Sequence, residues 1–129
     1  MNFSIQINTS PYHSNAGCHA YHFILSALQQ GHTIAKIFFF HDGIYHALKY
    51  TTPPDDELSQ TLRWSKLANE FNIELLVCIS AAQRRGLLSM NEAHKQGKNQ
   101  DDLASGFQFS GLGQLIEATL MTDRFIIFG

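Results

Sequence analysis

The chain has 129 residues, 44% of them hydrophobic and 16% charged, with a formal net charge of −2 at pH 7. A single domain of this size buries a core without disulfide or metal staples, and the composition excludes a disordered or fibrous protein. No run of basic residues exceeds the pair Arg84-Arg85, so direct binding of nucleic acid through a basic face is not expected.

Phe3, Ile5 and Ile7 alternate with polar neighbours over residues 2–8 and predict a strand. Residues 9–15, with Pro11 and small polar side chains, predict a loop. Ala16, Ala20, Phe23, Ile24, Ala27 and Leu28 recur at helical spacing over residues 16–30, and Gly31 stands where a C-terminal cap belongs. Residues 33–40 end in a continuous apolar run, as in a strand covered on both faces. A turn at Asp42-Gly43 and a short helix follow within residues 41–50. The segment TTPPDD then announces a helix over residues 57–72, with Leu58, Leu62, Ser65, Ala68 and Phe71 as its stripe.

Residues 74–80 predict a third strand, and residues 81–85 a short helix stopped at Gly86. Residues 87–107 read as a polar loop with a short helix near 91–96. Residues 110–122 predict a helix with Leu112, Leu115, Ile116 and Leu120 on one side, and residues 124–128 the last strand. Strands alternating with helices predict an α/β single-domain three-layer sandwich over residues 1–129, its sheet mostly parallel, flavodoxin-like or Rossmann-like. The opening MNFSIQINTS lacks the regions of a signal peptide, and no apolar stretch matches a membrane span. The expected compartment is the cytoplasm, where thiols stay reduced, and no membrane partner is expected.

Open α/β sheets bind ligands beyond the carboxyl ends of their strands. The segments 9–17, 41–46 and 78–86 should cluster there, with Ser110-Gly111-Leu112-Gly113 beside them. Cys78 ends a strand just before a helix start, and a helix N-terminus favours a thiolate. Arg84 and Arg85 could add positive charge. Position alone leaves open a second reading, a buried cysteine acting as a small apolar residue.

Cys18, at the start of the first helix, reads as an ordinary helix residue. His19 and His22 are one turn apart on that helix, but two ligands make no zinc site. His13 and His41 follow strand ends and could border the site as proton-transfer groups or stand as solvated loop residues. Gly111 and Gly113 open a helix without a phosphate-binding fingerprint. Phe38, Phe39, Phe40 and Trp64 read as core, and Tyr45, Tyr50, Leu87, Leu88 and Met90 as a possible subunit interface.

The pieces FFFHDGIYHA (38–47), TTPPDDE (51–57), VCISAAQRRG (77–86), SGLGQL (110–115) and DRFIIFG (123–129) resemble the TusD/DsrE family of sulfur-relay proteins. The resemblance covers nearly the whole chain. It implies that Cys78 is the catalytic sulfur carrier. By position Arg84, Arg85 and His41 are the expected supporting residues, and the chemistry requires no cofactor or metal. The resemblance also implies a heterohexamer with two smaller homologous subunits, an upstream persulfide donor protein and a small downstream sulfur-carrier protein. TusD-like members serve 2-thiouridine formation at the tRNA wobble position, and DsrE-like members serve sulfur oxidation. Cys18 lies outside the family pattern. Two other readings follow from the residues alone: a non-catalytic scaffold subunit of such a complex, and a small-molecule or nucleotide-binding domain of flavodoxin type.

Overall fold

Five stretches rich in β-branched and aromatic residues form strands in the computed structural model, which describes residues 1–129. These are β1 (Asn2–Ile7), β2 (Thr33–Phe39), β3 (Glu74–Cys78), β4 (Phe107–Ser110) and β5 (Arg124–Phe128). They pair in parallel, in the order β4-β3-β2-β1-β5. The connections hold α1 (Ala16–Gln29), a 3-10 helix (His41–Ala47), α2 (Gln60–Phe71), α3 (Ile79–Arg84), α4 (Met90–Lys95) and α5 (Leu112–Met121). This is the expected three-layer α/β sandwich.

Strand alternation assigns the two faces of the sheet. Phe3, Ile5 and Ile7 of β1, Ile37 and Phe39 of β2, and Leu75 and Val77 of β3 join one cluster of 22 buried residues. Ala20 and Ile24 of α1 and Trp64 and Leu67 of α2 complete it. On the opposite face, Phe38 and Leu76 meet only Ala118 of α5, with Leu115 and Phe125 beside them. The core is therefore thick on one side and thin on the other. Ser4, also on β1, is fully buried and its hydroxyl has no hydrogen-bond partner.

The first and last strands are neighbours. Phe3 to Ile7 run in register with Arg124 to Phe128. The Asn2 amide donates to the Asp123 carboxylate at 2.7 Å, and the Asn8 amide to the Phe128 carbonyl at 3.1 Å.

Four expectations are corrected. The helix expected over residues 57–72 starts at Gln60, where the Ser59 hydroxyl accepts from the Leu62 amide at 3.3 Å. Residues 51–59 form the approach to it. Its buried face is Thr61, Trp64, Leu67 and Ala68, whereas Leu58, Leu62 and Phe71 are exposed. Ser65, Ala68 and Trp64 share one arc of the helix, and the single large ring decides which edge of it is buried.

The third strand ends at Cys78 rather than Ser80, because α3 begins immediately. Residues 107–110, read as loop and helix start, form β4, whose Phe107 and Phe109 alternate with Gln108 and Ser110. The last helix turns Leu115 and Ala118 to the sheet, while Leu112, Ile116 and Leu120 point to solvent.

Gly43, in the 3-10 helix, lies against the end of β1, where an added Cβ would overlap the Ile7 carbonyl oxygen. That oxygen also accepts from the Phe40 amide at 3.0 Å, so neither partner can shift freely. Gly43→Ala is expected to cost about 3 kcal/mol of stability, at the upper end for overpacking. A shift in the urea midpoint without a change in slope would measure it.

One buried polar link ties this layer together. Trp64 Nε1 donates to His46 Nδ1 at 3.1 Å, and His46 Nε2 lies 3.1 Å from the Thr9 carbonyl. The Trp64 donor assigns the His46 proton to Nε2. Burial pulls the His46 pKa down from 6.5 to about 4, against a smaller upward effect of the Thr9 carbonyl. Gly17 leaves room for the ring, since a Cβ there would sit 2.6 Å from His46 Cε1.

Candidate functional site

Parallel pairing brings the carboxyl ends of β2, β3 and β4 to one edge. Cys78 is the last residue of β3 and the residue that caps α3, with φ −62° and ψ 117°. The run Leu75-Leu76-Val77 makes a fully buried strand, and the extended backbone at Cys78 turns it directly into helix. Cys78 pairs with Ser110 in β4. On the other side, Val77 pairs with Phe39, so Phe40 and His41 leave β2 alongside Cys78.

The chain leaves β3 and β4 toward opposite faces. Ala81 and Ala82 of α3 belong to the large cluster, whereas Ala118 of α5 belongs to the small one. The carboxyl edge is the usual ligand position in α/β sheets. Cys78 is free and 8% exposed. Its side chain makes no hydrogen bond to the first turn of α3. A thiol here can meet a sulfur atom brought to the sheet edge and is shielded from bulk solvent elsewhere.

The supporting residues separate on inspection. Arg85 Nε donates to Asp42 Oδ1 at 2.8 Å, and its Nη1 donates to the Ala81 carbonyl at 3.1 Å. Its charge is thus matched by Asp42, and the side chain braces α3 against the 3-10 helix after β2. Arg84 is exposed and enters none of the three ion pairs. His41 is exposed, with a left-handed φ of 49° and its ring edge-on to Phe40 at 4.4 Å. The Asp42–Arg85 pair is open to water, so Asp42→Asn is expected to cost no more than about 1 kcal/mol in equilibrium unfolding.

The other polar candidates do not join Cys78. Cys18 lines a shallow cleft between α1 and α2 with Gly17, Tyr21, Gln60, Arg63 and Trp64. There the Arg63 guanidinium stacks 3.8 Å above the Tyr21 ring. His13 lies exposed in the loop after β1, and His19 and His22 are exposed on α1. No three His, Cys, Asp or Glu side chains converge to hold a metal ion. Of the apolar residues in irregular segments, Leu87 is core at 1% exposed, whereas Tyr50 and Met90 face solvent.

Ser110, expected beside Cys78 as part of the segment that opens the last helix, is there as the end of a strand, β4, which sequence reasoning missed. Sequence reasoning also missed one participant. Asp42 was read as a turn residue. Its acidic charge, facing a helix that ends in Arg84-Arg85, was the available signal.

The DsrE/DsrF-like family model matches residues 1–128. The chain is 43% identical over 129 residues to DsrE of Allochromatium vinosum, covering all of this chain and 99% of that protein. It is 38% identical to the sulfurtransferase TusD homolog of Vibrio vulnificus, covering 99% of this chain and 98% of that one. It is 37% identical to the sulfurtransferase TusD of Cronobacter sakazakii, covering 99% and 100%. Among solved structures, the ychN protein from E. coli superposes with a TM-score of 0.79 over 99% of both chains at 18% identity, a likeness of fold.

Proposed function

We propose that this chain, which belongs to the DsrE/DsrF-like family, carries sulfur as a persulfide on Cys78 and hands it to another protein. It is a sulfurtransferase of a sulfur relay, the activity for which its full-length TusD relatives are named. The observation that supports Cys78 as the carrier is its position: a free cysteine at the carboxyl edge of β3, capping α3.

The chemistry needs one thiol. The Cys78 thiolate attacks the outer sulfur of a donor persulfide, the new Sγ–S bond forms, and the donor's S–S bond breaks to release its thiolate. Burial of Cys78, only 8% exposed at the end of β3, limits attack by water and small thiols. His41 and Arg84, both at this edge or close to it in sequence, are candidates to contact the incoming partner, and Arg85 holds α3 in place.

In this reading the chain works in the cytoplasm within a heterohexamer containing two smaller homologous subunits. An upstream protein supplies the persulfide and a small carrier protein removes it. The end use is 2-thiouridine at the tRNA wobble position, reached through that carrier and without direct contact with tRNA. A second reading, a DsrE-like role in sulfur oxidation, is favoured by the 43% identity to DsrE against 38% and 37% to the two TusD proteins.

Incubation with polysulfide followed by peptide mass spectrometry should find one added sulfur atom on the peptide carrying Cys78. An unmodified Cys78, with the thiol resistant to alkylation, would leave a scaffold subunit instead. Loss of 2-thiouridine from tRNA in cells lacking the chain supports the first end use; unchanged tRNA supports the second.

A further inference from the structure

We infer that two copies of this chain join edge to edge through β5, about a two-fold axis that sets Ile126 of one copy opposite Ile126 of the other. The five strands of each copy then run on into one sheet. This contact is independent of the chemistry at Cys78, so a failure of sulfur loading would leave it standing.

β5 is an edge strand, with no strand beyond it. Its inner side is occupied. The Phe128 carbonyl accepts from the Asn8 amide at 3.1 Å, and β5 runs in register with β1 from Arg124 to Phe128. Peptide groups alternate sides along a strand, so those of Arg124, Ile126 and Phe128 point to β1. Those of Phe125 and Ile127 point away from the sheet. The run Phe125-Ile126-Ile127-Phe128 holds no proline, no lysine and no bulge, the usual guards of an open edge. The other edge strand, β4, is shorter, exposes Gln108 and adjoins Cys78.

Helix α5 turns a second apolar feature toward the same edge. Parallel connections cross right-handed, so α5 runs from β4 to β5 over the face that holds Phe38, Leu76 and Phe125. Leu115 and Ala118 lie against the sheet. Leu112, Ile116 and Leu120 then fall about 130° round the helix, on the side of β5. They are 52%, 60% and 78% exposed, and Ile127, on the same face of β5, is 56% exposed. Stripe, Ile127 and strand edge form one surface, apolar enough to be covered.

That surface matches itself. Antiparallel pairing through Ile126 sets Phe125 opposite Ile127 of the second copy. Both residues have outward peptide groups, so the two pairs exchange about four main-chain hydrogen bonds. The stripes of the two α5 helices then face one another across the seam, with both Ile127 side chains between them. A two-fold also brings charges near their own copies, and this seam avoids that repulsion. Glu117, the only charged residue of α5, lies about 100° round from Ile116, away from β5. Arg124 falls opposite Phe128 rather than opposite itself.

The smaller homologous subunits proposed above are the other occupant to weigh. A surface made for an unlike subunit has to match that subunit and has no need to match itself. Register, free peptide groups and an uncharged stripe that agree about one axis favour a second copy. A heterohexamer of three kinds of subunit holds two copies of each chain, so the contact fits within it. Cys78 also stays free. β3 stands three strands in from β5, about 14 Å, and Cys78 packs with the cluster on the face opposite α5. The two thiols open at opposite edges of the joined sheet, because the copies run antiparallel.

Sedimentation of the full chain should show a dimer at micromolar concentration. Ile127→Pro removes an outward amide and leaves the bonds to β1 intact. The double variant Ile116→Lys, Leu120→Lys charges the stripe at exposed positions. Each should weaken self-association at least about tenfold, with the circular dichroism unchanged. If Ile127→Pro fails to fold, the lysine pair decides. Register is read by adding Ile126→Cys to a chain carrying Cys18→Ser and Cys78→Ser. Facing residues of a non-hydrogen-bonded pair stand about 4.5 Å apart at Cα, within disulfide reach, so mild oxidation should link two copies. Arg124→Cys in the same background should stay unlinked. A monomeric original chain, a dimer that survives the lysine pair, or the absence of the Ile126→Cys link would overturn the proposal. So would a link that disappears when the smaller homologous subunits are co-expressed, which would assign the face to them.

Discussion

Cys78→Ser is expected to abolish sulfur loading while leaving the fold in place. The hydroxyl oxygen cannot form a stable sulfane adduct, so loading should fall to the uncatalysed background, a loss of at least about 10³-fold. The stability cost should be about 1 kcal/mol, because the hydroxyl replaces a thiol that is 8% exposed at a strand end rather than deep in the cluster. Mass spectrometry after polysulfide treatment reads the first effect and urea unfolding the second. Cys18→Ser supplies the control. Cys18 lies in the α1–α2 cleft, outside the β3–β4 edge, and its loss should leave loading at Cys78 intact. Loading retained in Cys78→Ser but lost in Cys18→Ser would transfer the carrier role to the first helix.

The second large effect is on acid stability. Burial holds the His46 pKa at about 4 against 6.5 when unfolded. The unfolded chain therefore binds a proton that the folded chain refuses. The neutral-state contribution is fully present above pH 6.5 and is lost as pH falls from 6.5 to about 4. Across that window the loss should be about 3 kcal/mol, from the size of the shift. Urea unfolding at closely spaced pH values should show stability declining through this range. In His46→Gln, which keeps a polar side chain without the titration, the decline should flatten. An unchanged slope in that variant would assign the acid sensitivity to other groups.

Much of the fold could be read from side-chain type alone. The strands at 2–8, 33–40 and 124–128 declared themselves by β-branched and aromatic residues, and the first helix by its apolar spacing. Cys78 was legible for the same reason, since an apolar run ending in Cys78 just before Ala81-Ala82 marks a strand end leading into a helix. The remainder depended on distance in space. The four residues of β4 alternate correctly, but so short a segment after a polar stretch has no local reason to be a strand; pairing with β3 supplies it. Leu112, Ile116 and Leu120 have the spacing of a core stripe and lie on the surface, because Leu115 and Ala118 hold the other side of the helix to the sheet. The Asp42–Arg85 contact joins residues 43 apart, and the His46–Trp64 bond joins two aromatic residues whose sequence context gives no hint of partnership.

The pairing of β1 with β5 has a consequence for synthesis on the ribosome. The first strand made lies inside the sheet, and one of its two hydrogen-bonding edges is completed by the last five residues of β5. Until Phe128 emerges from the exit tunnel, β1 presents an open edge and α5 has no strand on its far side. The nascent chain can assemble β1 to β4 with their helices early, yet it cannot seal the sheet before β5 is made. The interval in which that edge is bare is when a chaperone would be most useful to this protein.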